Sequence, residues 1–106
     1  VDILNEESFL YLNSVNYRIN KLTDIQRFNE VNNDYEKTLD NIKPPVFWKD
    51  KPIYLQQLKK WNLKKLGKMA LKISEAEILM KKNSQIRNDI IIKNLILLVY
   101  NEASIS

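Results

Sequence analysis

Apolar residues recur along the chain at steps of three and four, and strand-like alternation bounded by turn residues is missing from it. From Glu6 to Asn32 the pattern predicts a long helix. Leu12, Val15, Ile19 and Leu22 fall on one face of it, and Ile25, Phe28 and Val31 continue the stripe after an expected kink near Thr23 and Asp24. Asn5 or Ser8 is placed to cap its start, and Asn32–Asn33 to stop it. A short helix follows from Asp34 to Ile42, with Tyr35, Leu39 and Ile42 pointing one way. It must end by Lys43, because the residue before a proline is driven out of the helical region. Lys43 to Lys49 then reads as an extended loop. Asp50 is placed to cap a third helix, with Pro52 in its first turn, where a missing N–H costs little.

The third helix spans Lys51 to Trp61. Tyr54 or Leu55, Leu58 and Trp61 face inward, and Gln56, Gln57, Lys59 and Lys60 face water. Asn62 is placed to cap a fourth helix, Leu63 to Lys82, whose buried face is Leu66, Met69 or Ala70, Ile73, Ala76 and Met80. Gly67 within it costs about 1 kcal/mol relative to Ala. The expected compensation is a close helix crossing with no room for a Cβ. Asn83 or Ser84 opens a fifth helix, Gln85 to Glu102. Its apolar residues, among them Ile86, Ile90, Ile91, Ile92, Leu95, Ile96, Leu97, Leu98 and Val99, lie on nearly every side. A helix of that kind is central in its bundle or covered by a partner. The expected fold class is all-α: a small bundle of about five helices, one domain over residues 1–106.

Composition narrows the chemistry. The 106 residues allow a real but modest core. Cysteine is absent, so there is no disulfide framework and no thiolate. Histidine is absent too, which removes the commonest general base and the commonest metal ligand near neutrality. The serines therefore lack an activating imidazole. Gly67 is the only glycine, which excludes a glycine-rich phosphate cradle. Glu75 and Glu77, two apart, diverge on a helix and do not act as a pair, whereas Glu77 and Lys81 have the favourable i,i+4 order. No enzyme, metal or cofactor is expected. The most apolar stretch, Ile90–Tyr100, is interrupted by Lys93 and Asn94 and is far short of the roughly 18 to 20 residues that cross a bilayer. With no membrane span and no signal peptide at the start, a cytoplasmic protein is the default expectation. The chain opens on Val1 rather than Met, and is expected to be a piece of a longer protein.

Charge is unevenly spread. Residues 1–42 carry four basic and eight acidic side chains, while residues 43–82 carry eleven lysines against Asp50, Glu75 and Glu77. The middle segment therefore favours an anionic partner, nucleic acid first. Solvated lysines on helix faces are the plainer alternative, since fourteen lysines, thirteen asparagines and thirteen isoleucines also fit an AT-rich coding sequence. Within this segment "KPPVFWKDKP" gathers every proline of the chain beside Phe47 and Trp48. Aromatic faces amid Lys43, Lys49 and Lys51 suit unpaired bases and backbone phosphates. The alternative is that one or both rings plug the bundle while Pro44-Pro45 sets the turn. Trp61, on an apolar helix face, reads as core.

The run from Ile42 to Tyr100 resembles the C-terminal domain of the delta subunit of bacterial DNA polymerase III. The residues that carry the resemblance are Pro44, Pro45, Val46, Phe47 and Lys49, then Gln57, Leu58 and Trp61, then Leu66, Ala70, Leu71, Glu75, Ala76 and Lys81. Residues 9–31 resemble the family's preceding long helix more loosely, and Glu77 stands where Asp is frequent. The resemblance implies a helical collar domain that packs in a pentameric clamp loader beside delta-prime and gamma/tau. It implies no ATP hydrolysis by this subunit, and contact with the sliding clamp only through an upstream domain. Candidate contacts to primer–template DNA are Phe47, Trp48, Lys49 and Lys51; candidate subunit-interface residues are Ile91, Leu95 and Leu98. A stand-alone basic helical domain that binds nucleic acid is the competing expectation.

Overall fold

The computed structural model describes residues 3–82 and 87–104, with side chains described from Glu6 onward. It contains five α-helices and one 3-10 turn, and no strand among the described residues: α1 (Ile3–Asn32), α2 (Tyr35–Asn41), the turn Trp48–Asp50, α3 (Lys51–Lys60), α4 (Leu63–Lys81) and α5 (Asn88–Ser104).

α1 is the hub, touching each of the other four helices. Leu12, Ile19 and Leu22 are buried, as their spacing predicts. The expected kink is absent: the helix runs unbroken through residues 23 and 24, and the Thr23 hydroxyl donates 2.8 Å to the Ile19 carbonyl inside it. Asn5 and Ser8 lie within the helix rather than at its boundary, and Ser8 is buried. The predicted stripe also bends away from the core after Ile25. Phe28 and Val31 are exposed, at 55 % and 85 %, because the 3.6-residue repeat carries the inward face to Gln26 instead. Asn33 ends α1 as foreseen, in the left-handed region at φ 52°, a conformation asparagine tolerates.

Asp34 caps α2, its carboxylate accepting from the amides of Glu36 and Lys37. Leu39 and Ile42 are buried and Tyr35 half-buried. The chain then enters α3 through the 3-10 turn rather than a fully extended loop. Asp50 consequently has helical backbone angles and makes no side-chain cap, which corrects the capping role read from the sequence; Pro52 does lie in the first turn. Tyr54 and Leu58 are buried and Trp61 closes α3 in the core at 6 % exposure.

Asn62 caps α4 through a 2.9 Å bond from the Lys65 amide. Leu66, Met69, Ile73, Ala76 and Met80 form its buried face. Gly67 is not at a crossing: it is exposed, and a Cβ there would meet nothing within 4 Å. Gly67→Ala is therefore expected to stabilise the domain by about 0.5–1 kcal/mol, seen as a higher urea midpoint, because it removes backbone entropy from the unfolded chain without a steric penalty. A lower midpoint would contradict the open site.

The predicted caps Asn83 and Ser84, and the start at Gln85 and Ile86, lie outside the described residues. α5 is not the central helix. Ile91, Ile92 and Leu95 are buried against α1 and α4, while Ile90, Ile96, Leu97, Leu98 and Tyr100 are exposed. No described helix is long and apolar enough to cross a membrane.

Candidate functional site: an aromatic–basic loop and an apolar helix face

The loop between α2 and α3 starts from a buried Ile42 and passes a half-buried Val46 packed on the core. These two side chains leave the rest of the segment outside the bundle. The Lys43–Pro44 peptide is cis. The loop's polar tie to the bundle comes from α1, where the Lys21 ammonium donates to the Pro44 carbonyl. On the far side Lys51 pairs with Asp40 of α2 at 3.1 Å.

Both aromatic rings point outward. Phe47 is 57 % exposed and Trp48 71 %, so neither plugs the bundle. Their centroids lie 5.9 Å apart with the planes tilted by 51°. That tilted contact orients one ring against the other. The Lys49 ammonium sits 5.5 Å from the Trp48 centroid. The arrangement offers two ring faces and a cation to a flat, anionic ligand. Lys51, by contrast, is engaged with Asp40, which leaves it less to offer a phosphate than Lys43 or Lys49.

The lysines of α4 are partly neutralised. Lys68 pairs with Glu102 at 3.0 Å, Lys72 with Glu75 at 3.6 Å, and Lys81 with Glu77 at 3.7 Å. Exposed pairs of this kind are worth little in stability, but they lower the field along that helix. Lys43 and Lys49 on the aromatic loop and Lys59 and Lys60 on α3 are exposed, as are Lys64 and Lys82 at the two ends of α4.

Of the three candidate interface residues, Ile91 and Leu95 are largely buried within the bundle and line the floor of a groove between α4 and α5. They are 6 % and 2 % exposed and pack inward, because α5 turns that side to α1 and α4. Leu98 remains accessible at 43 %, at the rim of that groove of about 160 Å³, which Ala76 and Leu79 also line. Leu97 beside it and Ile90 about two turns earlier are 59 % and 45 % exposed on the same side of α5, with the exposed Lys93 and Asn94 at the turn between them. From Asn94 to Asn101 the sequence holds no charged residue.

Two polar side chains of α1, Gln26 and Arg18, support its contact with α3. Gln26, buried in α1, donates to the carbonyls of Leu58 at 3.0 Å and Trp61 at 2.8 Å, the unpaired end of α3. Arg18 donates to Gln57 at 2.9 Å and lies 4.5 Å from the Tyr54 ring centroid. Burial pushes the Tyr54 hydroxyl above its ordinary 10.0, against the opposing charge of Arg18. A folded-state pKa raised above the unfolded value gives stability that is present below pH 10 and lost as the pH rises beyond it. Titrating urea stability from pH 8 to 11.5 is expected to show this loss, and Tyr54→Phe to reduce it. At the start of α5, the hydrogen bond from Arg87 holds the exposed Asp89 carboxyl below its ordinary 3.8.

Gln26 left a trace in the sequence, as a polar residue four after Leu22 on the apolar stripe. Lys21 left none, since its partner is a loop carbonyl twenty-three residues away. Searches with this chain find no matching protein family, no matching curated protein and no matching solved structure.

Proposed function

We propose that the chain is an assembly module of the kind its resemblance implies, the collar domain of a delta-type clamp-loader subunit acting in DNA replication. The observation that carries this reading is the outward stripe Ile90, Leu97 and Leu98 of α5. Leu97 and Leu98 lie in a stretch of α5 without charge, with the exposed Lys93 between them and Ile90, and exposed apolar side chains grouped in this way suit burial against another subunit. The partners under this reading are those the resemblance implies, delta-prime and gamma/tau. The domain's task is to hold neighbours together and so needs no reacting group of its own. Mixing the chain with delta-prime and gamma/tau collar fragments on a sizing column tests it. Co-elution is expected, and Leu97→Glu is expected to abolish it with the helical content intact. Separate elution in every mixture would overturn the assignment.

A second reading is favoured by a separate observation, the outward-facing pair Phe47 and Trp48 with Lys49 beside them. In the collar reading these rings meet the template strand of primed DNA. In the alternative, a stand-alone basic domain binds nucleic acid through residues 43–82. Salt separates the two. A self-sufficient phosphate binder loses affinity steeply between about 50 and 200 mM salt. A collar domain alone binds DNA weakly at any salt and depends on its neighbours for the rest.

A further inference from the structure

Lys21 is the least expected side chain in the bundle. It is charged, yet only 6 % of the residue is exposed. Burying an ammonium is expensive unless it is paired. The bond it makes is not to a carboxylate but to a backbone carbonyl, that of Pro44. Such a pairing leaves the charge uncompensated, so it is a poor way to gain stability. It is a good way to fix a carbonyl in place, because a charge-assisted hydrogen bond strengthens where water is excluded.

The carbonyl it fixes belongs to the loop that carries Phe47 and Trp48. That loop has few other ties. Its backbone bonds are at the two ends, Ile42 to Thr38 and Asp50 to Phe47. Its one ion pair, Lys51–Asp40, is exposed and lies beyond the rings. The rings themselves are exposed and do not anchor it. Between residues 43 and 47 the hold therefore comes from Val46 packing on the core and from Lys21.

We infer that Lys21 is a positioning residue: it holds the loop so that Phe47 and Trp48 are presented together, and it contributes a fixed positive charge behind them. The positioning claim stands on the loop geometry alone. Its effect on ligand rests on the nucleic-acid reading of the same rings.

The test uses the whole chain with Lys21→Met, which keeps the apolar stem and removes the ammonium. The first readout is ligand-free. Backbone amide order parameters at Val46, Phe47, Trp48 and Lys49 are expected to fall from about 0.85 to below about 0.6, while those of α1 stay rigid. The second is affinity for a single-stranded oligothymidine at low salt, expected to fall by about tenfold or more, the scale of one hydrogen bond to a charged group. Lys21→Gln, which still donates, is expected to fall between wild type and Lys21→Met on both readouts. Unchanged order parameters in Lys21→Met overturn the inference. If Lys21→Met fails to fold, Lys21→Gln carries the same comparison, and global unfolding of both would assign Lys21 to the bundle rather than the loop and equally overturn it. If wild type binds no oligonucleotide, the nucleic-acid reading fails while the order parameters still decide the positioning role. Asp40→Asn, which breaks only the exposed Lys51 pair, is expected to leave the order parameters of residues 46–49 at their wild-type values.

Discussion

Truncating Gln26 to alanine is expected to cost about 2–4 kcal/mol of folding stability, a large share of what a domain of this size holds. Its amide is the donor to two carbonyls at the end of α3, Leu58 and Trp61, and its oxygen accepts from the Tyr35 hydroxyl at 3.3 Å. All three partners lie at the junction of α1, α2 and α3, so water cannot freely replace the lost amide. The loss combines a cavity with acceptors left unpaired. Gln26→Glu makes the point more sharply: it keeps the volume but turns a donor toward the carbonyls into an acceptor, and is expected to be at least as destabilising near neutral pH. Urea unfolding followed by circular dichroism measures both. A midpoint shift worth less than about 1 kcal/mol in Gln26→Ala would mean that the end of α3 does not depend on this amide.

Replacing Trp48 by alanine is the second large expectation, and it acts on ligand rather than on the fold. With 71 % of the residue exposed, its removal is expected to change stability by no more than about 0.5 kcal/mol. Affinity for single-stranded DNA is expected to drop by about ten- to a hundredfold, since each base stacked on an aromatic face is worth about 1–3 kcal/mol. Phe47→Ala is expected to show a similar loss, and the double variant less than the sum, because the two rings touch and hold each other's angle. Lys49→Ala is expected to shallow the slope of log affinity against log salt by about one unit. Calorimetric titration at several salt concentrations reads all of these. Wild-type affinity in Trp48→Ala would remove the rings from the ligand site.

Much of the bundle was legible in the sequence, because helix periodicity is a local signal. The inward faces of α3 and α4 follow from spacing alone, down to Leu58, Trp61, Leu66 and Met80. Stops were legible where one residue decides them, as at Asn33 and before Pro44. What failed depended on the path of the chain through space. Whether Asp50 caps α3 depends on how the loop arrives, and it arrives through a 3-10 turn. Whether Gly67 meets a neighbour depends on which side of α4 is crossed. α5 looks apolar all round on a wheel, yet only the rest of the fold decides that Ile91 and Leu95 turn inward and Leu97 outward. In the loop, the aromatic and basic residues could be singled out by composition, but their exposure could not. Nor could Lys21, whose role comes from a contact of long sequence separation.

The two indoles sit in opposite surroundings, Trp61 buried at the end of α3 and Trp48 out on the loop. The protein thus carries two intrinsic optical reporters that answer different questions. Trp61, shielded from collisional quenchers and emitting toward the blue, changes when the bundle opens. Trp48, exposed to water, is expected to emit further to the red and to be reached by iodide or acrylamide in the native state, and a base stacked on it under the nucleic-acid reading is expected to quench it. A quencher series separates the two signals, so unfolding and any nucleic-acid capture at the loop would be readable in one cuvette without an added label.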